Sequence, residues 1–131
     1  MKICHVSDLH FCERFLALVS AALAAAIEDG KAWGAELFVF SGDSFDAAIQ
    51  LHHPAVRELI RLVLLAANHA PVFILQGTFS HDRPGCLEPF KHLRAKFPVH
   101  VCEKAEQIVL RNDGPPRFEN AYPPHAAVIS W

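Results

Sequence analysis

Three short segments hold residue types that do metal-assisted chemistry: Ser7-Asp8-Leu9-His10, Gly42-Asp43-Ser44-Phe45-Asp46 and Gly77-Thr78-Phe79-Ser80-His81-Asp82. Carboxylate oxygens and imidazole nitrogens are ligands for divalent first-row cations. In an extended segment residues i and i+2 point the same way, which lets Asp8 and His10 share one cation. Gly42 allows the backbone to turn sharply at Asp43. A carboxylate there is placed to bridge two ions roughly 3.5–4 Å apart, the spacing of two-metal phosphoester chemistry. The third segment adds a hydroxyl, an imidazole and a carboxylate. Taken singly, each has a plainer reading. Asp-x-His arises by chance, and Gly-Asp after a strand is a common turn or helix cap. Their recurrence at three successive strand ends is what points to a metal site.

The elements that must position these segments follow from the apolar pattern. Residues 2–7, 72–75, 99–102, 107–110 and 126–129 read as strands. Residues 36–41 form a continuous apolar run, which predicts a strand buried on both faces. An alanine- and leucine-rich stretch over 13–33 predicts a long helix, punctuated by Gly30 and Gly34. A second helix is expected over 55–68, with Pro54 in its first turn and Val56, Leu59, Ile60, Val63 and Leu64 at helical spacing. A third is expected over 87–96. Residues 111–124, with Asn112-Asp113-Gly114-Pro115-Pro116, read as a turn and loop. The order β-α-β-α-β-α-β-β-β predicts an α/β fold with a mostly parallel sheet and flanking helices. Asp8 and Asp43 are 35 positions apart, and Asp43 and His81 are 38 apart. Each interval accommodates one βαβ unit of about 30 residues or more. All three segments then fall at the carboxyl edge of the sheet, where open α/β sheets bind ligands.

Composition limits the alternatives. The 131 residues are 52% hydrophobic and 20% charged, a globular balance. Net charge is −2, so overall charge gives no argument for nucleic-acid binding. Arg83, Lys91, Arg94 and Lys96, interspersed with Glu88, read as a solvated helix face. Cys4, Cys12, Cys86 and Cys102 form no CxxC pair, which leaves a zinc ribbon unsupported. The apolar stretch 15–27 is too short for a bilayer span. No signal peptide is visible after Met1-Lys2, and a reduced, cytoplasmic protein without membrane association is expected.

These blocks resemble the N-terminal part of a calcineurin-like metallophosphoesterase. That family's pattern runs Asp-x-His, Gly-Asp-x-x-Asp, Gly-Asn-His-Asp/Glu, a later His and Gly-His-x-His. Asp8-Leu9-His10 and Gly42-Asp43-Ser44-Phe45-Asp46 match the first two blocks. The third is altered to Gly77-Thr78-Phe79-Ser80-His81-Asp82. Pro71-Val72-Phe73 and Arg83-Pro84-Gly85 make the chain most similar to SbcD-type DNA repair exonucleases. The resemblance implies a domain that is the N-terminal half of an α/β/β/α sandwich. It implies two divalent metal ions, Mn²⁺ first, with Mg²⁺, Fe or Zn as substitutes. Asp8, His10 and Asp43 would be ligands, with Asp43 bridging. His81 would contact the phosphate or protonate the leaving group. The family Asn, which binds the second metal, is replaced as ligand by Ser80 if the block is aligned on His81-Asp82, and by Thr78 if aligned on Gly77. DNA as substrate and an SbcC-like ATPase as partner are implied in the same way.

Other residues have expected places. His52 and His53 lie in the loop after the second block and, with Arg83, are candidates for substrate contact. His5 is expected to pack within the first strand, and His100 to be packed or at an edge. His92 is expected on the surface of the third helix. The later His and the Gly-His-x-His block are absent, so the expectation is a partial catalytic domain over 1–131. Two alternatives stand beside the DNA nuclease. One is a phosphatase or phosphodiesterase for small phosphoesters. The other is a non-catalytic fragment that self-associates into a homodimer through an exposed strand near Val128-Ile129.

Overall fold

The computed structural model describes residues 1–47 and 49–120. Its elements are β1 (Ile3–Val6), α1 (Leu16–Trp33), β2 (Leu37–Ser41), α2 (Pro54–Ala67), β3 (Val72–Leu75), a 3₁₀ turn (Glu88–His92), β4 (Val99–Cys102), β5 (Ile108–Arg111) and β6 (Arg117–Asn120). The first four strands form one parallel sheet in the order β1-β2-β3-β4. Two helices flank it, so the chain is an α/β protein as its apolar pattern predicts.

Strands that pair in chain order through right-handed crossovers put successive helices on the same side. Alternation along the strands agrees. Phe38 and Phe40 on β2, and Val72 and Ile74 on β3, are buried in the helix-covered core. Burying side chains of this size stabilises the fold by about 1.5–3 kcal/mol each. Leu37, Val39 and Ser41 face the other way and are only half-buried, so β2 is not enclosed on both faces as its continuous apolar run predicts. A run of apolar residues cannot tell one covered face from two.

Local sequence explains the helix limits. α2 begins where the His53 ring accepts a hydrogen bond from the Ala55 amide at 3.1 Å, with Pro54 in the first turn. Its buried residues Val56, Leu59, Val63 and Ala66 recur at three- and four-residue spacing. α1 ends at Gly34, whose left-handed backbone (φ 79°) lets its amide cap the Gly30 and Lys31 carbonyls. The helix starts at Leu16 rather than 13, and no side chain caps its amino end. It crosses the sheet at Gly30, where a Cβ would lie 2.9 Å from the Phe38 ring and 3.0 Å from Cys4 Sγ.

Other expectations need correction. The third helix reduces to the single 3₁₀ turn Glu88–His92. Pro98 disfavours helix in the residue before it, and Leu93 is already extended (ψ 137°) on the way to β4. The basic residues therefore share no helix face. Lys91 pairs with Glu88 and Glu103, and Lys96 lies over the Phe97 ring. His92 is exposed as expected, although the helix meant to carry it is only one turn. His5 is exposed, and its Nε2 hydrogen-bonds the Ser41 hydroxyl. The 111–124 segment holds a strand, β6, which pairs with β5 as an antiparallel hairpin. Phe118 of β6 lies against Phe73 and His100, covering part of the sheet face opposite the helices. The strand expected over 126–129 lies outside the described residues. Among the described residues no helix is long and apolar enough to cross a membrane.

Candidate metal centre

The three segments meet at the carboxyl ends of β1, β2 and β3. Beyond the sheet, the first two segments continue to pair. The Asp8 amide donates to the Gly42 carbonyl at 3.2 Å, His10 to Asp43 at 3.0 Å and Phe11 to Ser44 at 2.9 Å. Phe11 and Phe45 form a parallel bridge, and both side chains are fully buried. These two rings anchor the polar segments to the core. The polar residues beside them are thereby left at the surface in a fixed place.

Asp8 (φ 53°), His10 (φ 48°) and Asp43 (φ 48°) have left-handed backbone, and they are the only non-glycine residues among those described that do. Such a conformation costs non-glycine residues free energy, and it collects at functional sites. Asp8-Leu9-His10 is therefore not the extended segment that the i, i+2 reasoning assumes. Asp8, His10 and Asp43 nevertheless each offer a ligand atom within 4.8 Å of the others. A second group, His10, Asp46 and His81, meets the same limit. His10 belongs to both groups, whereas the resemblance gives the bridging place to Asp43. The resemblance gives Asp46 no role; its three-residue spacing from Asp43 is the signal in the sequence that marks it.

The third segment is held against the second by a glycine and a buried carboxylate. Gly77 lies so close to Asp43 that a Cβ there would be 2.9 Å from the Asp43 Cα, and closer still to its amide nitrogen and carboxylate. The Asp82 carboxylate is fully buried. It accepts from the amides of Ser44 (3.1 Å), Phe45 (3.2 Å) and Gly77 (2.9 Å). Its part is to fasten two loops, a role that shows only once those loops meet.

Asp43 Oδ1 accepts from the Thr78 amide at 2.7 Å and the Thr78 hydroxyl at 3.0 Å. The amide bond is the main cause that holds the Asp43 carboxyl below its usual range. Ser80 reaches the centre only through Thr78, hydroxyl to hydroxyl at 3.0 Å. Thr78, the residue matched by aligning on Gly77, is thus the one in contact with Asp43. His81 Nδ1 lies 2.8 Å from the Asp46 carbonyl oxygen. A carbonyl only accepts, so Nδ1 is the donor here and Nε2 is the ring nitrogen left free. The His10 and His81 rings meet edge-on at 4.6 Å.

A cleft of about 330 Å³ holds Asp8 and Asp43, with Ser41, Gly42, Gln76 and Thr78 among its walls. His52, His53 and Arg83 are not among its lining residues. His52 and Arg83 are exposed, and the His53 ring caps α2. No protein-family model matches the chain, and no curated protein matches it.

Proposed function

We propose that this chain carries a divalent-metal centre of the calcineurin-like metallophosphoesterase type and hydrolyses phosphodiesters. The observation that carries this reading is the convergence of Asp8, His10 and Asp43, all in left-handed backbone, on one point at the sheet edge. Strained positions that bring carboxylates and an imidazole together are better explained by a ligand than by packing. Hard oxygens with a few imidazole nitrogens suit Mn²⁺ or Mg²⁺ and accept Fe or Zn. Asp8, His10 and Asp43 would hold one ion; His10, Asp46 and His81 are an alternative donor set for it, since a neutral imidazole gives its one lone pair to one ion. Bound there, such ions would polarise a phosphoryl oxygen and lower the pKa of an attacking water.

The chain's own residues do the rest. The Asp8 and Asp43 carboxylates compensate cationic charge. Thr78 fixes the orientation of Asp43 through two hydrogen bonds. His81 is oriented through Nδ1 by the Asp46 carbonyl, so when protonated it keeps Nε2–H for the leaving oxygen. The SbcD resemblance supports DNA as substrate, and an SbcC-like ATPase as partner. The test is Mn²⁺ titration by calorimetry, wild type against Asp43→Ala, followed by assays on DNA ends and on a chromogenic diester. Micromolar binding lost in the variant is expected. Diester cleavage without DNA cleavage would move the reading to small phosphoesters. Absence of Mn²⁺ binding in the wild type would overturn it for this chain.

A further inference from the structure

A second cleft, of about 390 Å³, adjoins the metal centre. It shares Leu75, Gln76 and Gly77 with the cleft that holds Asp8 and Asp43, so the two lie side by side at the sheet edge. Phe73 and Leu75 of β3 and Phe79 of the third segment are among its walls. Phe79 is 68% exposed, although it stands in a loop pinned on either side by Gly77 and Asp82. An unburied aromatic ring on a fixed loop is a surface for stacking a planar group. The rim carries Glu103, Lys104 and Glu106, with Glu103 paired to Lys91 and Glu106 to His100.

We propose that Phe79 and this second cleft bind the nucleobase next to the phosphate held at the metal centre, making Phe79 a specificity-determining residue. The substrate class is then a nucleotide or an unpaired nucleic-acid end rather than an alkyl phosphoester. This inference rests on the metal-centre reading, since the phosphate must sit beside Asp43 for the base to reach Phe79. Stacking on an aromatic side chain has a typical strength that corresponds to roughly tenfold or more in affinity.

The experiment measures binding of thymidine 5′-monophosphate and of deoxyribose 5-phosphate, which lacks the base, to the whole chain with Mn²⁺ present. Wild type, Phe79→Ala and Phe79→Trp are compared, and NMR follows the Phe79 ring. The nucleotide should bind wild type roughly tenfold or more tightly than the sugar phosphate. That preference should vanish in Phe79→Ala and survive in Phe79→Trp. Equal binding of both ligands to wild type, or a base preference that persists in Phe79→Ala, overturns the role of Phe79 and leaves the metal centre standing. If neither phosphate binds while thymidine alone still shifts the Phe79 resonances, the metal-centre reading fails and the cleft remains. If thymidine shifts nothing, the cleft fails too.

Discussion

Gly77→Ala tests the geometry on which the candidate centre depends. The added methyl would lie 2.9 Å from the Asp43 Cα and nearer still to the Asp43 amide and carboxylate. Two of those three atoms are backbone, so turning the carboxylate aside cannot make room. The second and third segments must separate. Overpacking of this kind costs about 1–3 kcal/mol. Separation also strains the Thr78 bond to Asp43 and the Asp82 bond to the Gly77 amide. Hydrogen bonds to charged acceptors contribute about 1.5–3 kcal/mol each. Those effects overlap, so we expect a loss of about 3 kcal/mol or more in urea unfolding, with Mn²⁺ affinity falling in parallel. Gly114→Ala is the control, because nothing lies within 4 Å of a Cβ there. If Gly77→Ala unfolds within about 0.5 kcal/mol of wild type and binds Mn²⁺ equally well, the close approach of the two segments is wrong.

Three further outcomes are expected. Asp82→Asn replaces an acceptor of three amide bonds by a group that is half donor, and should cost about 2–4 kcal/mol in urea unfolding; an unchanged midpoint would refute the fastening role. Burial pushes the Cys86 thiol up to about 12, leaving about 10⁻⁴ of it as thiolate at pH 8. Mass spectrometry after iodoacetamide treatment should find Cys86 modified only in urea, and equal labelling of native and unfolded chains would contradict its burial. In metal-free protein, Asp43→Asn should be less stable than wild type above about pH 4, the unfolded carboxyl's range. Because the folded Asp43 carboxyl is held lower, chiefly by the Thr78 amide, that difference should fade as pH falls through the folded value. A difference that grew towards acid would reverse the assigned sign.

Much of this protein was determined by its sequence alone. Apolar runs and helical spacing suffice for β1 to β4, α1 and α2, because each element must present one apolar face to a core. Strand–helix alternation over about 35 residues forces parallel βαβ units, and these place Asp8, Asp43 and His81 at one edge. What the sequence could not carry depends on partners distant in the chain. Only the folded sheet decides that both helices lie on one face and that β2 is covered on one side. Pro98 and the reach to β4 override the helical composition of 87–96. β6 exists because β5 and the Phe73–His100 surface are there to receive it. In the site, Asp82 fastens loops, His53 caps a helix, Thr78 rather than Ser80 touches Asp43, and Asp46 joins His10 and His81. Each of these assignments is a distance between residues that adjacency in the chain does not set, and tertiary packing alone decides it.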